Sequence, residues 1–350
     1  MAVLVVVGAM TMAACGSAAA PGSSSHPGST MAPRPTLSPG LDPTATAGFA
    51  SAAAGSGGAL PTTESSPAWA QVRTTTLAIR LSTGLSRAVA IVVGTRILVY
   101  GGFASTGETT DEILAFDPAG GHLSPLGALA VPVHDAAGVA VGGASLIFGG
   151  GNAAPVSVVQ RIDSSTVAGV VGDLPTARAD LSAVSIGNSA IVIGGGAFGV
   201  LDREILATED GVRFRVLATL LVGVRYAAVA ATGGLIYVIG GAAAAGDVAD
   251  IQRLDPVTGQ VDLIGQMPQP ISHASAIVIG GRILVVGGRS AGEAQDAIWQ
   301  VDAGTGTTHL VGRLPQGISD FATAVIGGTG YVIGGETTTQ VDTIVSIVVQ

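Results

Sequence analysis

The sequence predicts an all-β domain built from six copies of a four-stranded unit, and three observations carry this prediction. From Ala70 onward, short apolar runs alternate with glycine turns and no helical periodicity persists. The stretch from Ser272 to Gly288 holds two apolar runs joined by Gly280-Gly281, which is typical of a β-hairpin because few residues tolerate the positive φ of so tight a turn. The second glycines of the doublets that close such hairpins lie 48, 45, 46, 47 and 47 residues apart. A repeat of this constant length is large enough for four strands.

Each unit continues in the same order after its hairpin. The turn glycine lies eight residues before the second glycine of the closing doublet in every unit, at Gly94, Gly142, Gly187, Gly233, Gly280 and Gly327. A third strand then ends in an acidic residue in five units, at Asp117, Asp163, Glu209, Asp255 and Asp302. A fourth strand completes the unit, as Gln260 to Gln266 does before Met267-Pro268.

This pattern of an apolar strand with Gly-Gly, a strand ending in Asp, and Leu-Pro resembles the kelch repeat. The segments LDPVTGQVDLIGQMPQP and SHASAIVIGGRILVVGG match it, and the resemblance covers residues 70 to 350. Kelch repeats form the blades of a β-propeller, so the resemblance implies a six-bladed propeller. The chain departs from the family where the third-strand tryptophan occurs only at Trp299 and where unit three carries TEDG. Both departures leave subfamily and function open.

The two ends of the repeat region are expected to complete one blade together. The last unit stops just after its third strand, at Gln350, whereas Thr75 to Leu81 aligns with the fourth strand Val261 to Met267 and has no unit before it. The N-terminal strand should therefore become the fourth strand of the last blade. Hydrogen bonds between the two ends would then protect edges that otherwise invite aggregation.

Composition excludes several classes of partner. The 350 residues carry a net charge of -9, contain no lysine, and are charged at only 11% of positions. A nucleic-acid partner or a polybasic contact with a membrane is not expected from such a chain. We expect a monomer with no cofactor.

The N-terminal region predicts export. Residues 1–14 are apolar but too short to span a bilayer, as in a signal peptide. The segment Met12 to Cys15 resembles a bacterial lipobox, in which the cysteine becomes the lipidated first residue; the alternative is an ordinary signal peptide and a secreted protein. Residues 15–68, rich in Ala, Ser, Pro and Gly, predict a disordered stalk. Residues 69–350 form the propeller domain, and the single cysteine leaves no internal disulfide.

Most catalytic motifs are excluded by their context. Gly194, Gly196 and Gly199 fit G-x-G-x-x-G, but no helix or parallel strand follows as a dinucleotide site requires. The elbow-like segment Gly288 to Gly292 has a central serine, yet His309 is placed on the opposite face of the domain. No histidine or acidic spacing predicts a metal site. The copper oxidase that resembles kelch propellers needs a cysteine, and the only one here lies in the export signal.

One set of residues survives as a candidate site. The repeat places six polar residues just before the first strands, where they should ring one mouth of the central channel, with His134, Arg178 and Arg225 beside them; the six are Arg87, Asp135, Asp180, Tyr226, His273 and Asp320. The loops after the doublets should overhang the same mouth with Glu108, Asp111, Asn152, Asp202, Arg203, Asp247, Arg289, Glu293 and Glu336. The ring is either a binding site or a set of turn residues whose Arg-Asp pairs hold neighbouring blades together.

Two functions remain open. The first is an extracellular, lipid-anchored binding module that offers its channel mouth to a protein or glycan, without enzymatic activity. The alternative is a carbohydrate-active enzyme, such as a sugar mutarotase of the kelch-like type. In that enzyme His273 with Asp320, Arg87 or Arg225 would bind the sugar and transfer protons.

Overall fold

The computed structural model describes residues 69–163 and 168–350, whose main sheets are the blades of a six-bladed β-propeller. Each blade is a four-stranded antiparallel sheet, and no α-helix occurs in these two ranges. The first strand of every blade contacts the first strands of the two neighbouring blades, so the six inner strands surround a channel. The predicted fold class is therefore confirmed. Within the same ranges no helix is long and apolar enough to cross a membrane.

The four strands of each blade follow one another from the channel outward. Blade 1 comprises Val89–Val93, Arg96–Tyr100, Glu112–Asp117 and His122–Ala128, and blade 2 comprises Ala137–Val141, Ala144–Phe148, Val158–Ile162 and Gly169–Asp173. Blade 3 comprises Ser182–Ile186, Ser189–Ile193, Glu204–Thr208 and Arg215–Thr219, and blade 4 comprises Ala228–Thr232, Leu235–Ile239, Asp250–Leu254 and Val261–Gln266. Blade 5 comprises Ser275–Ile279, Arg282–Val286, Ala297–Val301 and Thr308–Arg313, and blade 6 comprises Ala322–Ile326, Thr329–Ile333, Thr343–Val349 and Val72–Arg80.

In the part of the chain that the structure describes, four small two-stranded sheets stand apart from the blades. They are Leu85–Ser86 with Phe103–Ala104, Gly196–Ala197 with Val200–Leu201, Ala242–Ala243 with Gly246–Asp247, and Arg289–Ser290 with Glu293–Ala294.

Both ends of the chain meet in blade 6, as the repeat alignment predicts. Strand Val72–Arg80 pairs antiparallel with Thr343–Val349, with Val72 opposite Val349 and Arg80 opposite Thr343. The backbone amide of Gln350 also donates to the carbonyl of Gln71 at 2.8 Å. The N-terminal strand is thus the outer strand of the last blade and begins somewhat earlier than Thr75.

The core lies between the blades rather than within one. Successive residues of a second strand point to opposite faces of the blade. In blade 1, Leu98 and Tyr100 pack with Ile147 of blade 2, whereas Ile97 packs with Ile333 of blade 6. All five of these side chains are buried. Each second strand is therefore apolar on both faces, which explains its continuous rather than alternating hydrophobicity.

The acid that ends the third strand organises the turn before the fourth strand. The Oδ1 atom of Asp302 accepts the backbone amides of Gly304 at 3.0 Å and Thr305 at 2.7 Å, as Asp side chains do in tight turns. In blade 3 the alignment assigned this position to Glu209. The structure gives the role to Asp210, whose Oδ1 accepts the amides of Val212 and Arg213.

Closure by the N-terminal strand makes a prediction about truncation. Removing residues 1–68 should leave the melting temperature nearly unchanged, because all six blades are complete from Val72 onward. Removing residues 1–82 deletes Val72–Arg80 and exposes the edge of Thr343–Val349, so aggregation or a large drop in melting temperature is expected. Thermal denaturation and light scattering of the two truncations measure this. Equal stability of the two would contradict the closure.

Candidate functional site

Six residues just before the first strands share an unusual backbone conformation at one mouth of the channel. Their φ angles lie between 52 and 63°, in the left-handed region; they are Arg87, Asp135, Asp180, Tyr226, His273 and Asp320. None is glycine, although non-glycine residues are uncommon in this region. The positions that the repeat predicted are therefore held in one shared, strained conformation, which requires compensation from the surroundings.

Backbone hydrogen bonds supply that compensation and join the six residues in a closed cycle. The amide of each residue donates to the carbonyl of the ring residue in the preceding blade, over distances between 2.7 and 3.2 Å. The last bond closes the circle, because the amide of Arg87 donates to Asp320 at 2.7 Å. We call this set the hydrogen-bonded ring. It fixes the starting point of six side chains that come from six different blades.

The glycine doublets make backbone hydrogen bonds to the next blade beside the ring. In blade 1 the amide of Gly102 donates to the carbonyl of Val133, which precedes blade 2, at 2.8 Å. A Cβ atom on Gly102, whose φ is 109°, would lie 2.7 Å from the carbonyl oxygen of Ser86. Only glycine permits this approach, so the doublet links neighbouring blades next to the ring.

Asp320 is fully satisfied on the side of blades 5 and 6. His273 Nδ1 lies 2.6 Å from its Oδ1, Ser319 Oγ donates to its Oδ2 at 2.7 Å, and Arg289 Nε lies 3.5 Å from the same oxygen. Burial alone would raise the pKa of Asp320, but the hydrogen bond from His273 and the positive charges nearby hold it below its usual range. This carboxylate therefore stays ionised and orients the His273 imidazole.

Glu336 extends the same network to blade 1. Its Oε1 accepts hydrogen bonds from Arg87 Nε at 2.9 Å and Ser86 Oγ at 2.8 Å, and its Oε2 from Arg289 at 3.3 Å. Burial opposes the charge of Arg87, but Asp135 and Glu336 more than offset it and raise the pKa of this guanidinium. Blades 5, 6 and 1 thus face the mouth with a continuous network of paired charges, which we call the closed half.

Aromatic contacts connect blades 4 and 5. The ring of Tyr226 stacks on His273 with centroids 3.7 Å apart and an interplanar angle of 22°. The guanidinium of Arg225 lies 5.3 Å from the Tyr226 centroid and 3.3 Å from Asp180. Burial raises the pKa of Tyr226, and the carboxylates of Asp135 and Asp180 raise it further. The phenol is therefore neutral and donates a hydrogen bond to Asp180.

Blades 2 and 3 meet at two acids instead of an ion pair. Asp135 contacts Arg87 at 3.1 Å, an arginine that it shares with Glu336, and His134 Nε2 at 3.8 Å. Burial raises the pKa of Asp135 to about 7, and the charge of Asp180 adds to this rise. Burial also raises the pKa of Asp180. The Tyr226 hydroxyl and Arg225 oppose this rise at Asp180, as Arg87 does at Asp135. Of the three ring carboxylates, these two have raised pKa values, whereas the pKa of Asp320 is lowered.

Three cavities open at or below the ring. The channel itself holds about 320 Å³ and is lined by ring residues and by first-strand residues. A cleft of about 600 Å³ lies between Phe103, His134, Asp135, Pro155 and Asp180 on the side of blades 1 to 3. A further cleft of about 230 Å³ lies behind the Gly196–Leu201 hairpin of blade 3.

Of the residues predicted beside the ring, His134 and Arg225 line these clefts, but Arg178 does not. The side chain of Arg178 is 0% exposed, and its guanidinium contacts Asp202 at 3.3 Å and the carbonyl of Glu204 at 2.9 Å. It tethers the loop of blade 3, so the structure removes it from the predicted ligand-binding set. Burial lowers the pKa of His134, and its Nδ1 lies 2.8 Å from Thr109 Oγ1, so this imidazole is a neutral wall of the cleft.

The loops after the doublets differ in whether their predicted residues reach the ring or line a cavity. Arg289 and Glu336 reach the ring, and Asn152 lines the large cleft. Asp202 holds Arg178, and Arg203 donates to the carbonyl of Leu220. The remaining predicted loop residues do not line these three cavities; they are Glu108, Asp111, Asp247 and Glu293.

Sequence reasoning missed the most exposed aromatic side chain at this mouth. Phe198, at the tip of the blade 3 hairpin, is 82% exposed and has a φ of 51°. Val200, in the same hairpin, is 69% exposed. A phenylalanine followed by glycine, three residues after the second glycine of the doublet, was the available signal, because a solvated turn rarely carries so large an apolar side chain.

The motifs set aside in the sequence have structural roles. Gly196 and Gly199 belong to the blade 3 hairpin, and Ser290 is buried in the blade 5 hairpin. His309 stacks on Trp69, with centroids 5.1 Å apart, on the outer strand of blade 5. Within residues 69–163 and 168–350, no group of His, Cys, Asp and Glu side chains is arranged to hold a metal.

Comparison with known proteins agrees with the fold. A Kelch motif matches residues 224–268, which contain blade 4 and the residues leading into and out of it. No curated protein matches the chain. The other five blades repeat the strand order and ring position of blade 4, so the described residues form a six-bladed β-propeller in which one blade matches a Kelch motif.

The pKa of Asp135 makes a prediction about stability. The pKa of Asp135 rises from about 4 in the unfolded chain to about 7 in the folded one. The protonated carboxyl group therefore stabilises the folded state fully below about pH 4, and this stabilisation is lost as pH rises through 7. Asparagine does not titrate. The difference in free energy of unfolding between Asp135→Asn and the wild type should therefore shift in favour of the variant by about 2 kcal/mol from about pH 5 to about pH 8.

Urea denaturation at both pH values measures this difference. The matched control is Asp163→Asn, which removes a carboxylate that is 58% exposed and lies outside the channel. A difference for Asp135→Asn that does not vary with pH would contradict the assigned environment of this carboxyl group.

Proposed function

We propose that this kelch-repeat propeller is an extracellular binding module that presents the mouth of its channel to a protein or glycan. The observation that carries the proposal is the convergence of fixed polar side chains on open clefts at one mouth. In a chain with 11% charged residues, this concentration of charge is unusual. The kelch architecture supports a protein as the ligand.

Preorganisation supports binding at this place. The hydrogen-bonded ring fixes the backbone of all six mouth residues, so a ligand need not order them on arrival. Ordering a flexible side chain on binding costs about 0.5 to 1.5 kcal/mol, and a rigid site avoids much of this. The fixed mouth thus favours recognition by several weak contacts at once.

A carbohydrate-active enzyme is the second candidate, favoured by the His273–Asp320 pair. A carboxylate 2.6 Å from one imidazole nitrogen orients the ring and leaves the other nitrogen for proton transfer. Any sugar that binds the chain is therefore incubated with it, and NMR measures anomer exchange or hydrolysis. Catalysis by the wild type that is lost in His273→Gln would show that the protein is an enzyme rather than a binding module.

Export and anchoring form part of the same proposal. They rest on the signal-like residues 1–14, the stalk-like composition of residues 15–68 and the lipobox-like segment ending at Cys15. All of these lie outside the described residues. A protein attached to the cell surface through a lipid on Cys15 would meet ligands outside the cell.

Lipidation is tested by Cys15→Ala in a bacterial host. The wild type should be recovered in the membrane fraction, and the variant should become soluble or remain unprocessed, because no other cysteine can accept the lipid. Fractionation with immunodetection, and mass spectrometry of the N-terminal peptide, measure the result. Identical behaviour of the two proteins would contradict the anchor.

Binding at the mouth is tested with substitutions drawn from three blades. The full chain is screened against a glycan array and a phage-displayed library of random linear peptides, and affinity for the best ligand is measured for Arg87→Ala, Arg225→Ala and His273→Ala. Each should weaken binding by about 1 to 3 kcal/mol, because a desolvated polar contact loses its partner. Arg213→Ala is the control, since this 89% exposed arginine lies in the turn before the fourth strand of blade 3, opposite the mouth.

Melting temperatures of the same variants separate binding from support of the fold. Arg87 and His273 pair across blades, so their removal should also lower stability. Arg225 is 49% exposed and makes one ion pair, so its replacement should reduce affinity with little change in melting temperature. Unchanged affinity in all three variants would refute a binding site at the mouth.

A further inference from the structure

The two halves of the mouth differ in how much free volume lies beside their side chains. In the closed half, the carboxylates of Asp320 and Glu336 are bonded by arginine, histidine and serine side chains. The large clefts lie on the other side, toward blades 1 to 4. We call this side the open half. A ligand that enters the mouth meets the channel itself and, on this side, two further clefts.

The two clefts of the open half adjoin each other, and together we call them the groove. The 600 Å³ cleft and the 230 Å³ cleft share Pro155, Ala179 and Asp180, so they meet at the start of blade 3. Small side chains from the loops of blades 2 and 4 line the two ends, including Ala154 and Ala243. Two adjoining clefts fit an extended segment, which can place one side chain in each, better than a compact ligand.

The floor of this groove favours a cation. Asp135 and Asp180 lie there side by side, and the one arginine bonded to Asp135 is also bonded to Glu336. Arg225 pairs with Asp180 at 3.3 Å and remains 49% exposed, and the Tyr226 hydroxyl also donates to this carboxylate. A buried pair of like charges is relieved by a positively charged group between them. The net charge of -9 also attracts a basic partner from a distance.

The rim of the groove offers an apolar contact. Phe198 stands above the 230 Å³ cleft with 82% of its surface exposed, and Val200 beside it is 69% exposed. A phenylalanine at a φ of 51° is strained where glycine would be relaxed. An exposed aromatic side chain held in this way is a typical anchor for a partner.

Together these features lead us to infer that the open half binds an extended segment of a protein partner, with a basic side chain over Asp135 and Asp180 and an apolar side chain against Phe198. This inference rests on the proposed function and names the chemistry of the ligand. A guanidinium suits the position best, because its planar donors can bond both carboxylates. The apolar residue stands close to the basic one in the segment, since Asp180 and Phe198 line the same cleft.

The acid pair also gives the interaction a dependence on pH. The groups that act on Asp135 are Arg87, His134, Asp180, Tyr226 and Asp320. With a pKa of about 7, Asp135 carries more negative charge at pH 8 than at pH 6, and an arriving cation stabilises the ionised form. Binding of a basic segment should therefore strengthen as pH rises through 7.

Random linear peptides displayed on phage test the inference on the full chain. Selected peptides should combine Arg or Lys with a nearby aromatic or aliphatic residue. Synthetic copies should lose about tenfold in affinity with Asp180→Asn and with Phe198→Gly, a change that relaxes the backbone of the tip. The matched controls are Asp163→Asn and Val257→Gly, which alter an exposed acid and a 91% exposed valine in turns opposite the mouth.

Two further measurements sharpen the test. A peptide in which citrulline replaces arginine should bind about as weakly to the wild type as the original does to Asp180→Asn. The gain in affinity between pH 6 and pH 8 should disappear in Asp135→Asn, whereas a structural role of Asp135 would lower affinity at both pH values equally.

The outcomes separate this inference from the proposed function. Peptides without a basic residue, affinities insensitive to both Asp180→Asn and Phe198→Gly, or failure to select any peptide would each overturn the inference. Glycan binding that is lost in Arg225→Ala but accompanied by no peptide binding would do the same and leave the binding module intact. Peptide binding that no mouth substitution affects would overturn both.

Discussion

The hydrogen-bonded ring is the constraint on which the rest of this structure depends. Six residues adopt a left-handed backbone so that each amide reaches the carbonyl of the preceding blade, and the sixth bond meets the first. A circle of this kind closes only with a definite number of blades of equal width. The near-constant spacing of the glycine doublets and the shared outer strand of blade 6 both serve that geometric condition.

With the backbone committed to the ring, the side chains of the same residues are free to differ. On one side charges are neutralised across the two boundaries between blades 5, 6 and 1, as the Arg87–Glu336 and His273–Asp320 pairs show. On the other side burial raises the pKa values of Asp135 and Asp180 beside the open clefts, although an arginine pairs with each. Burying a charge reduces stability unless its partners offset the lost solvation. At identical positions the main chain thus holds the fold, while the side chains set the charge of the mouth.

The repeat made the architecture and the ring predictable, but not its asymmetry. Glycine spacing and strand order recur six times, so a strand or ring position that is ambiguous in one blade can be assigned from the other five. Arg178 shows the limit: it aligns beside the ring, yet it turns inward to Asp202, because burial depends on one local partner that the repeat does not encode. Glu209 and Asp210 differ by one position, and only the turn geometry shows which one accepts the amides. The exposure of Phe198 follows from a hairpin of blade 3 that the alignment treated as a variable loop.

The direction of the outer strand in blade 6 has a consequence for orientation. Fourth strands run toward the mouth, so Val72 lies at the far face of the disc, where Trp69 stacks on His309 at the start of the blade 5 outer strand. The polypeptide therefore joins the disc from the side opposite its charged mouth.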